Sequence, residues 1–121
     1  MRMVATGFGD PDLPCGVRVE KITDSARSWN VVRDGVTLSP LRMTGGAGSF
    51  LMKFAPGSRS PAHSHPGGEE IYVISGTGRI DELTFGPGDL IYTPPGESHT
   101  LHAGSEVTIH VILPEAVVLT E

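Results

Sequence analysis

Residues 57–76 read GSRSPAHSHPGGEEIYVISG. No other segment of the chain concentrates as much chemistry. His63-Ser64-His65 places two imidazoles two residues apart. On an extended strand such residues project from the same face, so the pair can meet one metal ion. Pro66-Gly67-Gly68 then bends the chain, and Glu69 follows four residues after His65. The bend can carry its carboxylate to the same ion. Residues 69–75 read as a strand, with Ile71, Val73 and Ile74 as its apolar positions. Ser75-Gly76-Thr77-Gly78 turns that strand back.

All five histidines fall between His63 and His110. His99 opens a later strand, just after Pro94-Pro95-Gly96. In an antiparallel meander a later strand can lie beside an earlier one and complete the set. Three nitrogens and one carboxylate oxygen suit Fe, Mn, Ni, Zn or Cu as a divalent ion, and suit Ca or Mg poorly. One carboxylate against a divalent ion leaves a net charge of about +1. Such an ion can polarise a carbonyl, hold an enolate, or bind dioxygen or water at an open position.

The rest of the chain reads as short strands. It has 121 residues, one domain's worth, with 16 Gly and 10 Pro. That much punctuation argues against a helix bundle and for many strands joined by tight turns. Residues 1–14 look like a loose N-terminal arm, and 15–121 like a single barrel domain. Strands are expected at 17–22, 29–33, 36–38, 41–43 and 49–54, with Pro40 as a break. Asp34-Gly35 signals a hairpin. Further strands are expected at 79–80, 83–85, 90–93, 99–102, 107–113 and 117–119. Residues 24–27 could form one helical turn. The resulting fold class is all-β, an antiparallel barrel or double-sheet sandwich.

Charge and cysteine usage narrow the function classes. Nine Lys and Arg against 14 Asp and Glu give a net charge of −5. The chain lacks the basic surplus of a nucleic-acid or anionic-membrane binder. The single cysteine, Cys15, permits no intramolecular disulfide and has no neighbouring histidine to activate it. No apolar run approaches a membrane span, and the first residues carry no signal-peptide core. The expectation is a cytoplasmic protein. Gly45-Gly46-Ala47-Gly48 lacks the spacing and following helix of a phosphate loop and reads as a turn.

At this point the sequence resembles the cupin superfamily. Its first motif is a glycine, five residues, HxH, three or four residues, a glutamate, six residues and a glycine. Gly57, His63, His65, Glu69 and Gly76 match it. Its second is a glycine, five residues, P-x-G, two residues, a histidine, three residues and often an asparagine. Gly88, Pro94, Gly96 and His99 match it, with Ala103 in place of the asparagine. The resemblance implies a jelly-roll barrel that binds one transition metal ion through His63, His65, Glu69 and His99. Glu70 also fits the spacing after His65 but leaves five residues before Gly76 rather than six, so Glu69 is preferred. Strand parity would then turn Ile71 and Val73 inward with Glu69, and Leu101 inward with His99, as an apolar wall.

Other residues carry weaker signals. His102 has the opposite parity to His99 and is expected to face away. His110 could line the pocket opposite the metal, or pack, or face solvent. Tyr72 and Tyr92 could donate a phenol to a substrate, although strand aromatics more often serve core or interface. Trp29, Phe50 and Met52 read as core. The expected function is a metal-dependent enzyme acting on a small oxygenated organic molecule, either a dioxygenase or a Lewis-acid isomerase, cyclase, dehydratase or decarboxylase. The alternative is a non-catalytic sensor or binding module, because HSHPGGEE resembles the zinc-binding cupin part of certain anti-sigma factors. Those proteins carry an added helical domain, whereas the first 60 residues here show strand signals. Residues 17–22 and 29–32 could supply a dimer edge, so a homodimer is expected.

Overall fold

A computed structural model describes residues 16–119. The arm expected over residues 1–14, and Cys15, lie outside the described residues. Twelve strands follow in order: β1 Asn30–Arg33, β2 Val36–Thr44, β3 Ala47–Phe54, β4 His63–Ser64, β5 Glu69–Ser75, β6 Gly78–Ile80, β7 Leu83–Phe85, β8 Leu90–Thr93, β9 Ser98–His99, β10 Leu101–Ala103, β11 Val107–Leu113 and β12 Val118–Leu119. No helix occurs among the described residues, and so none is long and apolar enough to cross a membrane. Every pairing is antiparallel. One six-stranded sheet runs β1-β2-β3-β11-β5-β8, and two three-stranded sheets run β10-β6-β7 and β12-β4-β9.

Alternation along the strands builds the core. In β5 the buried positions are Glu69, Ile71 and Val73, while Glu70 and Tyr72 face out. In β11 Val107, Ile109, Val111 and Leu113 are buried against them. Facing residues from β2 and β3, chiefly Val36, Leu38, Phe50 and Phe54, complete the cluster. Burying each such side chain contributes about 2 kcal/mol. Phe50 is core as expected, and Met52 packs against the core while partly buried. Trp29 is not core. It is half-buried, with the Lys53 ammonium 4.3 Å above its ring, a surface cation–π contact.

Two expectations about the first half change. Residues 36–44 form one strand rather than two broken by Pro40. β1 pairs with β2 only over Val36–Leu38, and the register toward β3 shifts between Pro40 and Arg42. Proline therefore sits where one edge is unpaired and a bulge absorbs the missing donor. Gly48 is required opposite this bulge. Its φ is +126°, and a Cβ there would lie 1.8 Å from the Arg42 carbonyl oxygen.

Residues 17–22, expected as a strand, pair with nothing in a ladder, and Val17 and Val19 are exposed. Side chains hold this segment instead. Arg18 donates to the Leu41 carbonyl, and Arg27 donates to Ser39 Oγ (3.0 Å), Glu20 (2.9 Å) and the Lys21 carbonyl (3.1 Å). Apolar alternation lacks force without a neighbouring strand to register it. The turn at 24–27 is an Asx turn, with Ala26 N–H donating to Asp24 Oδ1 at 2.9 Å.

Candidate metal centre

The small sheet β12-β4-β9 places the histidines. β4 pairs with β9 so that His63 lies directly opposite His99, and with β12 so that His63 lies opposite Leu119. Directly opposed residues have Cβ atoms about 5 Å apart. His65 follows β4 and is gripped by the turn that precedes β9. Its main-chain N–H donates to the Glu97 carbonyl at 3.1 Å, and its own carbonyl accepts from Gly96 N–H at 2.7 Å and Gly68 N–H at 3.0 Å. The Pro-x-Gly of the second motif thus shapes a turn that holds the first motif's second histidine. Glu69 arrives from β5 in the large sheet, after the bend at Gly68. Gly68 has φ +79°, and a Cβ there would press to 2.8 Å from the Thr93 carbonyl oxygen. Only glycine brings the two strands this close.

The four side chains converge. One ligand atom from each of His63, His65, Glu69 and His99 lies within 4.8 Å of the others. Ring centroids are 4.5 Å apart for His63 and His65, 4.4 Å for His65 and His99, and 5.5 Å for His63 and His99. Glu69 Oε1 is 3.3 Å from His65 Nε2 and 3.1 Å from His99 Nε2. Glu70 is exposed and outside the cluster, which separates the two carboxylates that spacing alone left open.

Each imidazole is held by its other nitrogen. His63 Nδ1 donates to the Pro61 carbonyl, and His65 Nδ1 to the Glu97 carbonyl at 3.0 Å. His99 Nδ1 lies 3.0 Å from Thr93 Oγ1. A carbonyl can only accept, so Nδ1 of His63 and His65 carries a proton, and in the neutral ring Nε2 is the lone pair. Metal-ligating histidines are held in this manner. His65 Nε2 and Glu69 Oε1 are buried and make no hydrogen bond, although 3.3 Å apart. Two buried polar atoms left so are costly unless a cation lies between them. The donor set and these two orphaned atoms fit a divalent transition metal ion.

Electrostatics agree. Burial pushes the Glu69 carboxyl up, but the adjacent His65 and His99 imidazoles outweigh it and hold the pKa at about 2, from 4.5. Burial also opposes charge on His65, yet the Glu69 carboxylate and the Glu97 carbonyl raise its pKa above 6.5. Burial lowers the pKa of His63, and His65 and His99 beside it add to this. For Glu69 the folded pKa lies below the unfolded one. Its contribution to stability is full above pH 4.5 and is lost as pH falls toward 2. In metal-free protein that loss is expected on the order of 3 kcal/mol. Urea unfolding at stepwise pH should show it for the wild type and a flatter profile for Glu69→Gln.

Beside the cluster is an interior cavity of about 50 Å³, into which His63, Glu69 and His99 face. Its other walls are mostly apolar, including Leu38, Phe50, Met52, Phe54, Ile71 and Leu101. Ile71 and Leu101 are thus inward as expected, whereas Val73 is buried but does not line the cavity. Among the described lining residues the candidate ligands are the only ionisable ones. His110 does not line it: it faces the outer side of the large sheet between Leu51 and Tyr72, and burial lowers its pKa. Tyr72 and Tyr92 stand on that outer face too, 45% and 66% exposed. His102, on β10, pairs with Arg79 of β6 and is outside the cluster. Sequence reasoning missed Thr93 and the Glu97 carbonyl. Inward parity with Ile91 on β8 was the available signal for Thr93.

Antiparallel sheets around an inward cluster of three histidines and a glutamate define a protein of the cupin class. The chain belongs to the ChrR Cupin-like domain family, whose model matches residues 18–116. A search of curated protein sequences finds no match. Among solved structures, the polyketide cyclase RemF from Streptomyces resistomycificus is 24% identical, with a TM-score of 0.69 over 86% of this chain and 87% of that one. The complex of Rhodobacter sphaeroides SigE with the anti-sigma ChrR is 27% identical, with a TM-score of 0.58 over 69% of this chain and 46% of that one. An acetylacetone dioxygenase from Acinetobacter johnsonii is 15% identical, with a TM-score of 0.74 over 88% of this chain and 79% of that one.

Proposed function

We propose that this chain is a metal-dependent enzyme that acts on a small oxygenated organic substrate, with His63, His65, Glu69 and His99 holding one divalent ion of Fe, Mn, Ni, Zn or Cu. The three sheets together are read as the jelly-roll barrel of the superfamily. The observation that carries the proposal is the convergence of four ligand atoms within 4.8 Å beside an apolar cavity. A bound ion there supplies Lewis acidity or, for a redox metal, a route for electrons. The protein's own residues do the rest. Phe50, Met52, Phe54 and Leu38 exclude water and orient the apolar part of the substrate. With no other ionisable group in the described lining, proton movement falls to the cluster or to water at the ion. Structural likeness to a cyclase and a dioxygenase supports both reaction types, dioxygenation and Lewis-acid isomerisation, cyclisation, dehydration or decarboxylation. The test is turnover of candidate enolisable and diketone substrates. His63→Ala should abolish it, and full turnover in that variant would refute the metal-centred reading.

A second reading, a zinc-binding sensor without turnover, is favoured by the matched family and by likeness to the ChrR complex. It predicts zinc binding, no turnover, and metal-dependent capture of a regulatory protein.

We further propose a homodimer. Of the two stretches expected to supply the edge, 17–22 forms no strand and 30–33 is the outer strand β1; further support is the opposite outer strand β8 and its neighbours, where Leu90 (80% exposed), Tyr92, Tyr72 and Ile112 surround the exposed Glu70. No lysine, proline or bulge blunts the Leu90–Thr93 edge. Antiparallel pairing of one strand with its own copy is self-complementary. Light scattering at micromolar concentration should give twice 12.8 kDa, and Tyr92→Lys should return the mass to one chain.

A further inference from the structure

Of the three bonds that orient the imidazoles, two end on main-chain carbonyls, those of Pro61 and Glu97. Substitution of Pro61 or Glu97 leaves such a carbonyl in place. The third ends on a side chain, the Thr93 hydroxyl, 3.0 Å from His99 Nδ1. Thr93 is buried, and on the β5–β8 ladder it lies directly opposite Glu69. It therefore stands beside one candidate ligand in the large sheet and bonds to another in the small sheet. Thr93 thus bonds a ring nitrogen of these histidines with a side chain from outside the cluster.

Building on the metal reading above, we propose that Thr93 is the positioning residue of the centre. With the ion in place its hydroxyl accepts the Nδ1–H of His99 and leaves the Nε2 lone pair to the metal, and it fixes the ring so that Nε2 stands 3.1 Å from Glu69 Oε1. Without the hydroxyl, His99 can place its proton on Nε2 and rotate, and one of the four ligand atoms is lost for part of the time. Loss of such an orienting partner weakens metal affinity by about 10- to 100-fold.

The test uses two variants and two readouts. Thr93→Val keeps the shape and removes the hydroxyl; Thr93→Ser keeps the hydroxyl. Zinc and nickel ions are titrated in competition with a chromophoric chelator. Thr93→Val should bind about 10- to 100-fold more weakly, and Thr93→Ser should stay close to the wild type. Imidazole ¹⁵N NMR of the zinc-loaded proteins reads which nitrogen of His99 meets the ion and which keeps its proton. Nδ1–H with Nε2 on zinc is expected at His99 in wild type and Thr93→Ser, and an averaged or unligated His99 ring in Thr93→Val. Thermal melts confirm that both variants fold. Equal affinity in Thr93→Val, or Nε2–H at His99 in the zinc-loaded wild type, would overturn the assignment. A wild type that binds neither ion would instead sink the metal reading, and this assignment with it.

Discussion

His63→Ala is expected to weaken binding of a divalent transition metal about 100- to 1,000-fold. Structural zinc sites bind with roughly 10–16 kcal/mol, so each of four ligands carries about 3 kcal/mol, or two to three decades in affinity. His63 suits this experiment because it is half-buried at the edge of the cavity, whereas His65 is fully buried. On its removal β4 keeps its ladder to β9 and β12 through main-chain bonds. Circular dichroism should therefore remain that of the wild type while chelator competition shows the loss. Unchanged affinity would place the ion elsewhere.

Phe54→Ala is expected to cost about 3–5 kcal/mol of stability. Phe54 is 1% exposed, belongs to the main core cluster and also lines the cavity beside the candidate ligands. Removing the ring loses its burial and leaves a void that the paired strands β2, β3 and β11 cannot close by shifting. For a domain of this size the melting temperature should fall by roughly 10–20 °C. The same change enlarges the cavity, so Phe54→Ala should accept bulkier substrates than the wild type. A melting temperature within a few degrees of the wild type would show that the packing here is wrong.

Much of this arrangement was legible because two kinds of spacing carried it. Period-two alternation placed Glu69, Ile71 and Val73 on one face of β5, and that pattern needs only the pleat. Fixed intervals between glycines, histidines and Glu69 located the cluster. What stayed hidden depended on tertiary partners. The alternation at 17–22 could not reveal that no strand lies beside it. Pro40 read as a break because the end of β1 pairing at Leu38 is a property of two strands together. His110 has apolar residues on both parities, so only the register against Leu51 and Tyr72 shows which way it faces. Thr93 and the Glu97 carbonyl act on histidines 6 and 32 residues away. A main-chain acceptor leaves no residue-type signature at all.

The most direct test of the account is elemental analysis of wild-type protein purified without a metal-binding tag. About one equivalent of Fe, Mn, Ni, Zn or Cu per chain, lost in His63→Ala, is the predicted result. A redox metal would direct the search to oxygen uptake, and zinc to Lewis-acid chemistry or the sensor reading. No transition metal, even after reconstitution with each ion in turn, would contradict the assignment of His63, His65, Glu69 and His99 as a metal centre.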